Sequence, residues 1–262
     1  MTGSGEGESL RPGPDRTVPK QPGSGGGSPG LDLILAIIPL LAVSGSAVVL
    51  LDLPLRYLIF VVGLHGVMAA LLLRGWRSGM PGPGLGAANR VTLGRALLVL
   101  PVAAMIPWGT SIDTLGIWWV IGASTLALGL DGVDGWVARS TRTSTPLGAR
   151  FDMELDAFLL LALSLLLWLA GPLGPWVILI GALRYLFVLA GWLWPPLQGA
   201  LPESMRRKTV CVVQGVGLLV ALGPIVPSPM ATAVAATALL ALIYSFAADV
   251  VWLARQARTS PA

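Results

Sequence analysis

The sequence predicts an all-α, polytopic membrane protein with eight transmembrane helices, and three observations carry this. Of its 262 residues 55% are hydrophobic and only 11% charged, against about 25% charged in a typical soluble domain. Apolar runs near the roughly 20 residues needed to cross a bilayer recur along the chain, at 31–51, 57–73, 91–107, 115–137, 151–170, 175–195, 209–226 and 230–254. The connecting segments then sort by charge. Alternate connections hold Arg74, Arg77 and Arg90, then Arg139, Arg142 and Arg150, then Arg206, Arg207 and Lys208, then Arg255 and Arg258, while those between hold Arg56 alone. Eight crossings with both termini cytoplasmic satisfy the positive-inside pattern. The net charge of +4 is then a consequence of topology. It calls for no nucleic-acid partner, although the same arginines favour anionic lipid headgroups.

Taken in order, residues 1–30 are rich in Gly, Pro and Ser, and their six charges cancel. Such a segment buries too little surface to fold and reads as a disordered cytoplasmic tail. Its GSGGGS stretch at 23–28 suits a natural linker or an expression scar equally. The first apolar run has neither a basic region before it nor a small-residue cleavage site after it, so it is expected to stay in the mature protein. Residues 31–80 read as an accessory pair of helices, and PGPGLG at 81–86 breaks the chain after them. The six helices of 85–255 form the core and carry the chemistry, and 256–262 is a short cytoplasmic tail. Cys211 is the single cysteine, which excludes an intrachain disulfide or a thiolate metal cluster and suits inert packing. His65, the single histidine, sits in an apolar run and suits packing or a hydrogen bond between helices.

Carboxylates in membrane helices cost about 3 kcal/mol each, so a group of them calls for a function. Five acidic residues fall in the 26 positions from Asp131 to Asp156, within DGVDGWVARSTRTSTPLGARFDMELDAF. Asp131 and Asp134 are spaced i, i+3, and Asp152 and Asp156 are spaced i, i+4, so each pair shares a helix face. The polar turn 140–146 is long enough to fold the second helix back on the first, so all four carboxylates can converge at the cytoplasmic boundary. Their repulsion requires cations. Hard oxygen donors with no His or Cys nearby select Mg²⁺, Mn²⁺ or Ca²⁺, and a two-cation site suits phosphoryl transfer. Glu154 lies roughly 200° round the helix from Asp152 and Asp156 and is expected to face away and position a neighbouring group. Gly132, Gly135 and Gly148 leave room for a phosphorylated ligand and a crossing helix, and Arg139 can reach a phosphate or base as a fixed cation. Gly132 and Arg142 answer equally to packing and topology.

Written as DxxDGxxARx8Gx3Dx3D, the string resembles the signature of the class I CDP-alcohol phosphatidyltransferase family at all eight fixed positions, Asp131, Asp134, Gly135, Ala138, Arg139, Gly148, Asp152 and Asp156. The preceding helix opens with Asn89, Thr92 and Arg95, similar to the family's NxxTxxR start. The resemblance covers 85–255 and implies a six-helix core with the motif bridging its second and third helices. It further implies transfer of a phosphatidyl-type group from a CDP-linked lipid, such as CDP-diacylglycerol, to an alcohol acceptor, with release of CMP in phospholipid biosynthesis. By carry-over, Asp131, Asp134 and Asp152 hold two Mg²⁺ or Mn²⁺ ions. Asp156, in the same metal cluster, is the general base. Gly135, Ala138, Arg139 and Gly148, with Asn89 and Thr92, contact the nucleotide. The family is commonly homodimeric, and the expected location is a bacterial plasma membrane with the site cytoplasmic.

For the acceptor, Arg184 lies about eleven residues from the cytoplasmic end of the sixth run, some 16 Å deep by helical rise. A guanidinium there needs a carboxylate, a water-filled cavity or a ligand phosphate, which points inward to acceptor or metals, with Tyr185 beside it. Arg206, Arg207 and Lys208 stand where some family members have a GKxKTxxQ-like entry, but this chain reads RRKTVCVVQ. The basic cluster suits inositol phosphate or glycerol phosphate and answers equally to topology, so serine, choline-like and lipid alcohols stay open. Two other classes compete. Membrane prenyltransferases carry two widely separated aspartate-rich motifs, whereas here both pairs fall in one block. A divalent-cation or proton-coupled transporter would use carboxylates near the midplane between inverted repeats, and neither feature is found. A calcium loop fails because its twelfth position is Arg142.

Overall fold

The computed structural model describes residues 29–77, 86–141, 146–199, 201–202 and 204–259. The tail through residue 28, most of the PGPGLG break, residues 142–145 of the polar turn and the last three residues lie outside the described residues. Among those described, every regular element is helical: α1 (Pro29–Leu35), α2 (Ile37–Leu51), α3 (Arg56–Arg77), α4 (Gly86–Ala104), α5 (Thr114–Thr141), α6 (Pro146–Ala170), α7 (Ile178–Leu193), α8 (Met205–Leu222) and α9 (Ser228–Thr259).

Local chemistry explains the boundaries. The first apolar run splits at Ala36, because Pro39 has no N–H to return to the carbonyl of Leu35. Asp52 closes α2 in a left-handed conformation, φ 50°, one that a short polar side chain tolerates better than a bulky one. Asp113 precedes α5 and accepts a hydrogen bond from the backbone N–H of Gly116 at 2.8 Å, capping that helix. α6 opens on Pro146, whose missing N–H costs nothing at a first helical position. Pro101 lies within α4, and its carbonyl accepts the hydroxyl proton of Tyr57 from α3 at 3.0 Å.

α6 is the central helix and packs against α4, α7 and α8, while α4 runs along α5 and α8 along α9. Leu159, Leu163, Leu166 and Leu167 of α6 are fully buried in the shared core. The first two helical stretches belong to the same core, through Leu40, Ala47, Tyr57 and Val61. His65 is buried, and its Nε2 donates to the carbonyl of Leu33 at 3.1 Å, tying α3 to α1 as a helix–helix hydrogen bond. Cys211, expected in packing, lies instead on the exposed face of α8.

Among the described residues, six helical stretches are long and apolar enough to cross a membrane: Gly30–Leu51, Arg56–Gly75, Thr114–Gly132, Leu147–Ala170, Pro175–Leu193 and Ser228–Ala257. The chain is an integral membrane protein on that composition. α4 and α8, expected as crossings at 91–107 and 209–226, are not among the six. The physical reason is visible in their faces. α4 turns Asn89, Thr92 and Arg95 inward, and α8 carries Arg206, Arg207, Lys208 and buried Gln214. Both spend apolar length on polar groups that meet other helices instead of lipid.

Candidate active site

Asp131 sits in the second half of α5, and Asp152 and Asp156 share one face in the opening turns of α6. One carboxylate oxygen from each lies within 4.8 Å of the others. Two antiparallel helices thus bring together residues 21 to 25 positions apart, at the end of the bundle where α5 closes and α6 opens. Arg56 lies at the opposite end, with its guanidinium 5.6 Å from the ring centroid of Trp108.

Arg95 of α4 completes the cluster. Its Nη1 stands 3.0 Å from Asp131 and also pairs with Asp152, while its Nη2 pairs with Asp156. Its Nε donates to the carbonyl of Ala127 at 3.1 Å. The Arg95 side chain is 0% exposed, whereas Asp131, Asp152 and Asp156 are 44%, 36% and 21% exposed. The cation is therefore the floor of the site and the carboxylates are its open side. A planar fork with five N–H donors is the side chain able to serve three acids and a carbonyl at once. In the sequence Arg95 stands only as the last position of the NxxTxxR stretch, with no role of its own. The signal was present: Asn89, Thr92 and Arg95 recur at i, i+3 and i+6 on one face of an apolar helix, and all three are buried.

The donor set fits a hard divalent cation. Asp131, Asp152 and Asp156 offer carboxylate oxygens only, close enough to share an ion. Asp134, Gly135, Ala138 and Arg139 belong to α5 by backbone, one to two turns beyond Asp131, and their side chains lie outside the described part. Gly148 is buried in the first turn of α6.

The expected acceptor residues are spread over two further helices. Arg184 of α7 pairs with Glu154, which faces away from Asp152 and Asp156 round α6, so the guanidinium at that depth has its carboxylate. Tyr185 lines a cavity beside it. Arg206 and Arg207 both approach Asp249 of α9, Arg207 at 3.5 Å, and Arg207 also donates to the carbonyl of Pro202. Arg206 also lies 6.0 Å from the ring centroid of Tyr244. Lys208 is exposed in the first turn of α8. Asp249 is 7% exposed and was missed from the sequence, although a lone acid inside the apolar run 230–254 is itself a sign of a partnered carboxylate.

The family model of CDP-alcohol phosphatidyltransferase matches residues 85–251, from the start of α4 nearly to the end of α9. No curated protein and no solved structure matches the chain. The family consists of membrane phosphotransferases of phospholipid synthesis that act on a CDP-alcohol donor and an alcohol acceptor. The match spans well over half of the chain and contains the converging aspartates and the buried arginine that binds them, so this enzyme belongs to the CDP-alcohol phosphatidyltransferase family.

Proposed function

We propose that the protein transfers a phosphatidyl group from a CDP-linked lipid, such as CDP-diacylglycerol, to the hydroxyl of a small alcohol and releases CMP. The observation that carries this reading is the convergence of Asp131, Asp152 and Asp156 at one helix junction. Asp131, Asp134, Asp152 and Asp156 would hold two divalent cations, Mg²⁺ or Mn²⁺. When bound, these would offset negative charge on the phosphoryl oxygens. Asp156 is the least exposed of the three clustered carboxylates and takes the proton of the acceptor hydroxyl. The hydroxyl oxygen forms the new bond to the β-phosphorus as the bond to CMP breaks. Arg95 holds the carboxylates in their convergent arrangement. Asn89, Thr92, Gly135, Ala138, Arg139 and Gly148 surround the nucleotide in this reading. Arg184, Arg206, Arg207 and Lys208 are the basic groups available to an acceptor.

The same reading places eight crossings in a bacterial plasma membrane, α1–α2 and α3 as an added pair before a six-helix core. Both termini and the aspartates face the cytoplasm, where a CDP-linked headgroup is presented, and the working unit is a homodimer. Support comes from the sorting of basic connections and from the polar inward faces of α4 and α8, which explain their lower hydropathy as crossings.

The test is CMP release by the purified full chain, given magnesium or manganese, CDP-diacylglycerol and a panel of labelled alcohols. The panel covers inositol phosphate, glycerol phosphate, serine, choline and lipid alcohols. At least one acceptor gives CMP and a labelled lipid product, and Asp156→Asn abolishes release with an unchanged melting temperature. Absence of CMP with every acceptor and every nucleotide-linked donor, together with metal flux into liposomes, would overturn the reading in favour of a cation transporter.

A further inference from the structure

α3 lies outside the matched residues 85–251, yet it forms one wall of a cavity with them. The cavity has a volume of about 480 Å³ and lies between α3 and α6, within the roughly 300–1,000 Å³ typical of ligand pockets. Met68 and Leu71 of α3 face Phe151, Leu155 and Phe158 of α6 across it. Both helices are apolar enough to cross a membrane along this stretch, so the cavity is walled by carbon at hydrocarbon depth. Val67 and Leu71 are 59% and 65% exposed, which opens it sideways out of the bundle. At one end the helices touch: a Cβ added at Gly75 would lie 2.7 Å from Leu147 Cδ1.

Phe151 and Leu155 each precede an active-site aspartate by one position, hence roughly 100° round α6. The cavity therefore occupies a different face of α6 from Asp152 and Asp156. At its polar end stand Arg150 and Glu154. Glu154 is neutralised by Arg184, whereas Arg150 is exposed and has no ion pair among the described residues. Arg150, Glu154 and Arg184 together sum to one positive charge, and the other described residues lining the cavity carry none.

We propose that this cavity is a binding site for an anionic membrane phospholipid, one acyl chain lying between α3 and α6 and the phosphate resting on Arg150. A hydrocarbon chain suits the carbon walls, and Arg150 at the polar end complements the phosphate. A soluble metabolite would leave its polar groups facing Phe151, Leu155 and Phe158 without partners. The site lies on a different face of α6 from Asp152 and Asp156 and gives α3 a role that the matched core does not include.

Native mass spectrometry of the full chain in detergent, with added phosphatidylglycerol or phosphatidylcholine, tests this. Wild type retains one phosphatidylglycerol in preference to phosphatidylcholine by roughly fivefold, the size expected of one arginine beside an anionic headgroup. Leu71→Trp fills the cavity and loses that lipid. Arg150→Gln keeps a lipid and loses the preference. Leu240→Trp, at an exposed position of α9, behaves as wild type, so the loss in Leu71→Trp is not a general effect of an added tryptophan. Equal retention and equal preference in wild type, Leu71→Trp and Arg150→Gln would overturn the proposal. So would loss of lipid in Leu240→Trp, or a dimer that Leu71→Trp dissociates while the lipid count stays the same.

Discussion

Arg95 makes contacts that no other side chain could make together. Its fork engages Asp131, Asp152, Asp156 and the carbonyl of Ala127 from a fully buried position. Lysine keeps the charge but has one nitrogen, so Arg95→Lys loses charge-assisted hydrogen bonds worth about 1.5–3 kcal/mol each. CMP release is expected to fall roughly 10- to 100-fold, checked by steady-state turnover. Arg95→Leu leaves three carboxylates facing one another and is expected to destabilise the fold by about 3–5 kcal/mol, read by thermal unfolding in detergent. Asp249 is the reverse case, one buried acid serving two arginines that are each about 30% exposed. Water can reach Arg206 and Arg207, so Asp249→Asn costs less, about 1–2 kcal/mol. If these arginines also bind the acceptor, its KM rises severalfold in Asp249→Asn while kcat is kept, and an unchanged KM confines the cluster to a structural role.

Among the helices, the α6–α7 crossing is set by a missing side chain. A Cβ at Gly181 would lie 2.3 Å from the Cα of Leu161 and 2.6 Å from Ser164 Oγ, and a backbone atom cannot step aside as a side chain can. Small residues let helices approach this closely in a membrane, where apolar surface alone gives no drive to associate. Gly181→Ala is expected to cost about 1–3 kcal/mol by overpacking. Gly66 of α3 is the control, since a Cβ there meets nothing within 4 Å. Gly66→Ala should be neutral or raise stability by up to about 1 kcal/mol through helix propensity. Thermal unfolding of the two variants side by side separates the effects. The inward stripe Asn89, Thr92 and Arg95 shows the same logic at the site: α4 gives up apolar length to carry polar groups to α5 and α6.

For the whole molecule, the question is whether α1–α3 can be removed. Tyr57 and Val61 share one buried cluster with Ala96, Val99 and Leu100 of α4 and Leu159 of α6. Polar ties join the same halves as well, among them the hydroxyl of Tyr57 on the Pro101 carbonyl, and Arg90 on Asp32 at 3.2 Å. Deletion of residues 1–80 strips these contacts from α4, the helix that carries Arg95. The truncated chain is expected to melt roughly 5–10 °C lower, as a loss of a few kcal/mol implies for a chain of this size, or to aggregate on extraction. Size-exclusion chromatography and thermal unfolding in detergent decide this. A monodisperse truncated protein with an unchanged melting temperature would show that the core stands alone.

Much of the site was legible because its chemistry is local. Asp131, Asp134, Asp152 and Asp156 stand in one 26-residue block, and i, i+3 and i+4 spacing on helices converts that block into two faces without knowledge of anything distant. Composition and apolar runs likewise settle the class of chain, because a bilayer imposes length and polarity on each segment separately. What came only from packing were the long-range pairings: Arg95 with aspartates up to 61 positions away, Arg184 with Glu154, Arg206 with Asp249, and α3 against α6. A charge at depth announces that it needs a partner, but several partners in the chain would satisfy it equally. The choice among them depends on which helix faces meet in three dimensions, and that is decided by side-chain shapes such as the notch at Gly181, which no single segment contains.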